Sequence, residues 1–134
     1  IVFIDNEQYA ESYKKFLLKS FPLPFQEKSF ITTLTSEMNI DERRIALETF
    51  RQGKSRILLC SDIASRGIDI PNTRLVIQMA LPLTADQYLH RAGRTGRLGR
   101  PGKVIVLSQP EEDFVIQRFS NALGIKMIQR KLQA

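Results

Sequence analysis

The sequence predicts an α/β fold: a parallel sheet with helices on both faces, in three layers. Three observations predict it. Five short apolar runs alternate with segments of helical periodicity. The runs are apolar nearly throughout rather than at every second residue, as strands buried on both faces require. Polar residues that cap helix N-termini stand between the runs.

Each element follows in order. Residues 1–4 (IVFI) read as the first strand. Asp5 or Asn6 caps the helix behind it, and Asp5 with Gln8 fits a capping box. Ala10, Tyr13 and Leu17 then share one helical face. Residues 20–29 (SFPLPFQEKS) form a loop broken by Pro22 and Pro24. Residues 30–34 make the second strand, and Asn39 with Glu42 caps a helix that stops at Gly53. Residues 56–60 (RILLC) and 74–79 (RLVIQM) are the next two strands. Thr84 with Gln87 opens the helix ADQYLHRAG, which the glycines end between Gly93 and Gly96. Residues 103–107 (KVIVL) are the last strand, and Ser108 with Glu111 opens a helix ending near Gly124. Residues 1–134 read as one domain, with 125–134 as a basic tail or an added edge strand. The chain has no initiator Met and opens inside an apolar run, so a piece of a longer chain is expected.

Composition narrows the partners. The 134 residues are 43% hydrophobic and 25% charged, with a net charge of +6. The pI near 9.8 leans toward a polyanion. One cysteine, Cys60, excludes an internal disulfide and a cysteine metal cluster, and suits a reducing, intracellular compartment. No apolar run approaches the ~20 residues of a membrane span, so no membrane partner is expected.

Two segments carry chemistry. The first is HRAGRTGRLGRPGK, residues 90–103, which sets Arg91, Arg94, Arg97, Arg100 and Lys103 at a spacing of three with glycines between and no acid among them. Such crowding of like charge points to a negatively charged ligand. Guanidinium suits phosphate because its planar fork donates two hydrogen bonds together and keeps its charge at any working pH. The alternative is a solvated basic loop. A P-loop is excluded, since Arg97 stands where its first glycine belongs and Val104 where its hydroxyl residue belongs; a dinucleotide fingerprint is excluded because no Gly-x-Gly occurs. The second segment is SDIASRGIDIP, residues 61–71, directly after a strand. Ser65, Arg66 and Gly67 offer a hydroxyl, a cation and a backbone amide suited to phosphate oxygens, and Asp69 an acceptor suited to a sugar hydroxyl. The simpler reading is a turn with a left-handed Gly67. Ligands of open parallel sheets sit beyond the carboxyl ends of the strands, and both segments are expected there.

Taken together, the two segments resemble motifs V and VI of the second RecA-like domain of DEAD-box RNA helicases. HRAGRTGR matches the HRxGRxGR signature at every defined position, and His90 at its head is similar to the DEAD-box group rather than to related helicases with Gln. The resemblance spans nearly the whole chain. It implies a RecA-like sheet that closes on an N-terminal RecA-like domain, with ATP between the two and RNA across both. ATP and Mg²⁺ would be held mainly by that other domain. Arg94 and Arg97 would reach the γ-phosphate as arginine fingers, with His90 and Arg91 linking to the other domain and the attacking water. Asp69 would hold the ATP ribose. Ser61 and Gly67 would contact RNA phosphates, Arg66 would support the interdomain face, and Arg43 would reach a phosphate from its helix start. No metal ligand is implied in this chain. An alternative function on the same fold is a catalytically weak module that clamps RNA or docks on a ribonucleoprotein or ribosomal assembly.

The sequence also departs from the family pattern. LTSEMNIDER keeps Leu34, Met38 and Arg43 but carries Thr35, Ser36 and Ile40 where His, Gly and Gln are usual. Asp5-Asn6 stands where Asn-Thr is common, and Ala80 where an Asp is usual. No Walker lysine and no Asp-Glu-Ala-Asp segment occur, so the chain alone is expected not to hydrolyse ATP.

Overall fold

The computed structural model describes residues 1–22, 24 and 27–133. Part of the expected loop at 20–29, namely residues 23, 25 and 26, and residue 134 of the tail lie outside the described residues.

Five strands form one parallel sheet: β1 (Val2–Phe3), β2 (Ile31–Leu34), β3 (Ile57–Cys60), β4 (Leu75–Gln78) and β5 (Lys103–Val106), in the order β2-β3-β1-β4-β5. The helices are α1 (Ala10–Ser20), α2 (Ile40–Arg51), the single turn α3 (Asp62–Ser65), α4 (Ala85–Ala92) and α5 (Asp113–Leu123). β1 is central. Its ladder runs on past its two residues, with Ile4 N–H donating to Cys60 O at 2.9 Å and Met79 N–H to Phe3 O at 3.0 Å.

Alternation along the strands builds two cores, because successive side chains face opposite sides of a sheet. Phe3, Leu58, Cys60 and Val76 pack on one face with Ala46 of α2 and Ala64 of α3. Val2, Ile4, Ile31 and Leu59 pack on the other with Ala10, Tyr13 and Leu17 of α1. Double-sided burial is why the strand runs carry no polar alternation.

Helix starts follow the capping chemistry with adjustments. Asn39 and Glu42 form the full capping box on α2, with both bonds at 2.8 Å. Thr84 caps α4 through Gln87 N–H at 3.1 Å, but the Gln87 side chain serves Leu83 N–H and Asp62 instead. Asn6, not Asp5, caps the first turn: its Oδ1 accepts from Gln8 N–H, and a 3-10 turn (Glu7–Tyr9) precedes α1. The box expected at Ser108 and Glu111 lies one residue on, at Gln109 and Glu112, ahead of a second 3-10 turn (Pro110–Glu112) leading into α5. That helix ends at a left-handed Gly124. Residues 125–133 add neither helix nor strand. No described helix is long and apolar enough to cross a membrane.

Candidate functional site

The start of SDIASRGIDIP and the end of HRAGRTGRLGRPGK lie at opposite ends of the sheet, while Arg91 of the latter still reaches Asp62 of the former at the carboxyl end. SDIAS leaves the carboxyl end of β3, as expected. The arginine turn does not: Thr95 pairs with Thr73 in a parallel bridge two residues before β4 begins. α4 starts beyond the carboxyl end of β4 and carries the chain back, so whatever follows it before β5 lies at the amino ends. This corrects the expected placement, and the cause is connectivity.

At the carboxyl end, Ser61 is a helix cap. Its Oγ accepts Ala64 N–H at 3.1 Å and donates to Glu7 Oε1. Asp62 receives a bidentate guanidinium: Arg91 Nε at 2.9 Å and Nη2 at 2.6 Å, with Gln87 Nε2 at 2.5 Å. Arg91 also donates from Nη1 to Gln78 Oε1 and Ala80 O, and its guanidinium lies 5.7 Å from the Phe3 ring centroid. Only 5% of Arg91 is exposed, and the same holds for Ser61. These two differ from the expectation. Arg91 does not reach out of the domain, because its partners from β3, β4 and α4 use it inside; the Ser61 hydroxyl is committed to Glu7 rather than presented. Burial alone would raise the Asp62 carboxyl, but Arg91, then Gln87 and Arg66, hold it below the ordinary range.

A cleft of about 410 Å³ opens at this end, lined by residues of the β1 and β3 ends together with Arg66 and Gln87. Arg66 and Gly67 are exposed, with Gly67 left-handed at φ 70°. Arg43 is half-buried and turned back onto its own loop, donating to Met38 O at 3.0 Å and Ser36 O at 2.6 Å.

The amino end holds the remaining candidates. After α4 the chain turns through Gly93, with Arg94 N–H on Arg91 O and Thr95 N–H on Ala92 O. Thr95 Oγ1 then donates to Thr73 O, Thr73 N–H to Arg94 O at 3.0 Å, and Arg97 N–H to Asn72 Oδ1 at 3.2 Å. These bonds fix the turn against the segment that follows Asp69. Gly102 passes so close that an added Cβ would collide with Thr95 Oγ1 and the Gly96 backbone. Arg97 is exposed, with Nε on Gly93 O. Arg94 is half-buried, and its buried Nε has no hydrogen-bond partner. Neither forms an ion pair among the described residues. Asp69 and His90 are exposed. Arg94, Arg97 and the approach from Asp69 thus share one end, and Ser61, Arg66 and Arg43 belong to the other.

Two participants escaped the sequence reading. Asn72 anchors the arginine turn. Glu7 joins three strand ends by accepting from Ser36 N–H, Ser36 Oγ and Ser61 Oγ. The available signal was an acid just after Asp5 and Asn6, two positions that depart from the family pattern behind the first strand.

Comparison with known proteins decides the family. The model described as "Helicase conserved C-terminal domain" matches residues 1–99. The chain belongs to this helicase C-terminal family, in its DEAD-box branch. The helicase lobe is 44% identical over 99 residues to the DEAD-box ATP-dependent RNA helicase CshC of Bacillus cereus, covering 74% of the chain and 25% of that protein. It is 37% identical over 127 residues to the ATP-dependent RNA helicase DBP8 of Eremothecium gossypii, covering 95% of the chain and 28% of that protein. Among solved structures, the E. coli DEAD-box protein SrmB, bound to regulator of ribonuclease activity A, superposes with a TM-score of 0.82 at 27% identity, over 98% of this chain and 73% of that one. The lobe therefore spans about a quarter of the length of the two curated relatives.

Proposed function

We propose that this lobe is the C-terminal half of an ATP-dependent RNA helicase, supplying Arg94 and Arg97 to the γ-phosphate of ATP bound by an N-terminal RecA-like domain. One observation carries the reading. Arg94, half-buried, keeps an Nε–H without an acceptor, whereas in the buried Arg91 all three guanidinium nitrogens are hydrogen-bonded. A buried donor left unmade is costly, so an arrangement that retains one suits an acceptor brought from outside. The phosphate oxygens of a nucleotide are such acceptors, and the exposed Arg97 beside it adds a second fork.

The lobe's own residues then act in simple ways. The Thr95–Thr73 bridge and Asn72 position the turn, Arg94 and Arg97 stabilise charge developing on the transferred phosphoryl group, and the exposed Asp69 takes the ribose. His90, exposed on the last turn of α4, faces the partner domain. Mg²⁺ would be held mainly by the other domain; among the described residues no group of three or more His, Cys, Asp or Glu could hold a metal ion. No step of this lobe runs through the ion. RNA lies across the carboxyl-end surface, where Arg66 and Gly67 are exposed.

The test is RNA-stimulated ATP hydrolysis by the full-length protein carrying Arg97→Ala, with circular dichroism confirming the fold. Loss of stimulated hydrolysis supports the assignment. A rate equal to wild type, with ATP and RNA saturating, removes Arg97 from it. Retained RNA binding with no hydrolysis in the wild-type protein instead favours the clamping alternative.

A further inference from the structure

Glu7 carries more than a fold contact. Ser36 N–H reaches its two carboxylate oxygens at 3.0 and 3.1 Å, Ser36 Oγ donates at 2.5 Å, and Ser61 Oγ donates to the other oxygen. A backbone amide and two hydroxyls thus converge on one oxyanion. The Arg43 guanidinium stands behind them, holding Ser36 O at 2.6 Å. Burial alone would raise the Glu7 carboxyl, but the bonds from Ser36 and Ser61, with Arg43 beside them, hold it below the ordinary range. The group sits ionised on the wall of the 410 Å³ cleft, and Arg66 lines the same cleft.

An amide plus two hydroxyls is a donor set for a phosphate oxygen as much as for a carboxylate. Both are anions whose oxygens only accept, and only one can occupy the donors at a time. Glu7 is partly exposed and opens a 3-10 turn, so its side chain can swing into the cleft without unpacking the core. We propose that Glu7 is a built-in competitor: its carboxylate fills an oxyanion nest of Ser36 and Ser61, and a phosphate binds there only when Glu7 leaves.

The proposal rests on the RNA-helicase reading for its preferred ligand, a backbone phosphate of single-stranded RNA. Free phosphate shares the chemistry. The experiment measures binding of a single-stranded RNA oligonucleotide to the full-length protein, wild type against Glu7→Ala, across a salt series, with inorganic phosphate titrated separately. Glu7→Ala should tighten RNA binding at least threefold across the salt series. Adding Ser61→Ala to that variant should cancel the gain. Glu7→Gln, which keeps an acceptor but removes the charge, should show a smaller gain and serves if the alanine variant does not fold. Tighter binding of inorganic phosphate alone would support the nest and assign it to free phosphate. Equal or weaker RNA binding, and no phosphate binding, overturns the proposal. If that happens while wild type binds RNA and its ATPase depends on Arg97, only the competitor role fails. If wild type and both variants bind neither ligand, the helicase reading fails with it.

Discussion

Arg91 of α4 closes onto Asp62 at the end of β3 through two hydrogen bonds, Nε to Oδ1 at 2.9 Å and Nη2 to Oδ2 at 2.6 Å. The two residues stand 29 apart in sequence, and the pair joins the signature helix to the first turn of the other motif. Each motif therefore holds the other in place before any ligand arrives.

Removing one partner strands the other. Arg91 is 5% exposed, and its guanidinium also serves Gln78 and Ala80. Arg91→Ala should destabilise the lobe by about 3 kcal/mol, the low end for breaking a buried pair, because Asp62 keeps some contact with water. Equilibrium urea unfolding measures it. Arg91→Lys should recover only part, since an ammonium cannot make the bidentate fork.

The same pair sets an acid limit. The folded carboxyl of Asp62 lies below its ordinary value of 3.8. Its contribution is therefore complete above that value and is lost as pH falls through the lower, folded one. The stability gap between wild type and Asp62→Asn should be constant from neutral pH down to about 4 and shrink below it. Unfolding curves at stepped pH test this.

Cys60 should be silent. Burial pushes its thiol up to about 12, and its side chain is wholly enclosed. A thiol reagent at pH 8 should label it only as fast as the lobe unfolds, so denaturant should accelerate labelling in step with the unfolded fraction.

Gly102 is a spacing requirement. A methyl group there meets Thr95 and the Gly96 backbone, the residues that fix the arginine turn. Gly102→Ala should cost about 1–3 kcal/mol, as overpacking does. It should also lower stimulated ATPase, by shifting Arg94 and Arg97. Thermal unfolding and steady-state hydrolysis, read together, check both effects.

Much of the fold was legible because its signals are local. The apolar runs at 57–60 and 103–106 and the Asn39–Glu42 box each sit within a few residues, and each stands where it was expected. The first strand spans only Val2–Phe3, yet ladder hydrogen bonds at Ile1 O and Ile4 N–H still cover the run from 1 to 4 that the sequence marks. The site was legible by motif but not by orientation. Nothing in HRAGRTGR says that Arg91 is paired inside the domain and Arg94 is not: the helix and the position of Asp62 decide that, and Asp62 follows another strand. The arginine turn was expected at the carboxyl ends because its chemistry suits them, yet a segment entering β5 from α4 must lie at the opposite end. Glu7 was passed over because an acid behind a strand has no meaning until Ser36 and Ser61 are brought to it.

The most direct test is single-turnover release of phosphate from ATP by the full-length protein carrying Arg94→Ala, with RNA and ATP saturating. Arginine fingers in related phosphoryl transfer contribute ~10³–10⁵ in rate, so the chemical step should slow by about a thousandfold or more while RNA and ATP remain bound. A chemical step within about tenfold of wild type would contradict the assignment of the Arg94 guanidinium to the nucleotide, since a factor that small is worth only ~1.4 kcal/mol.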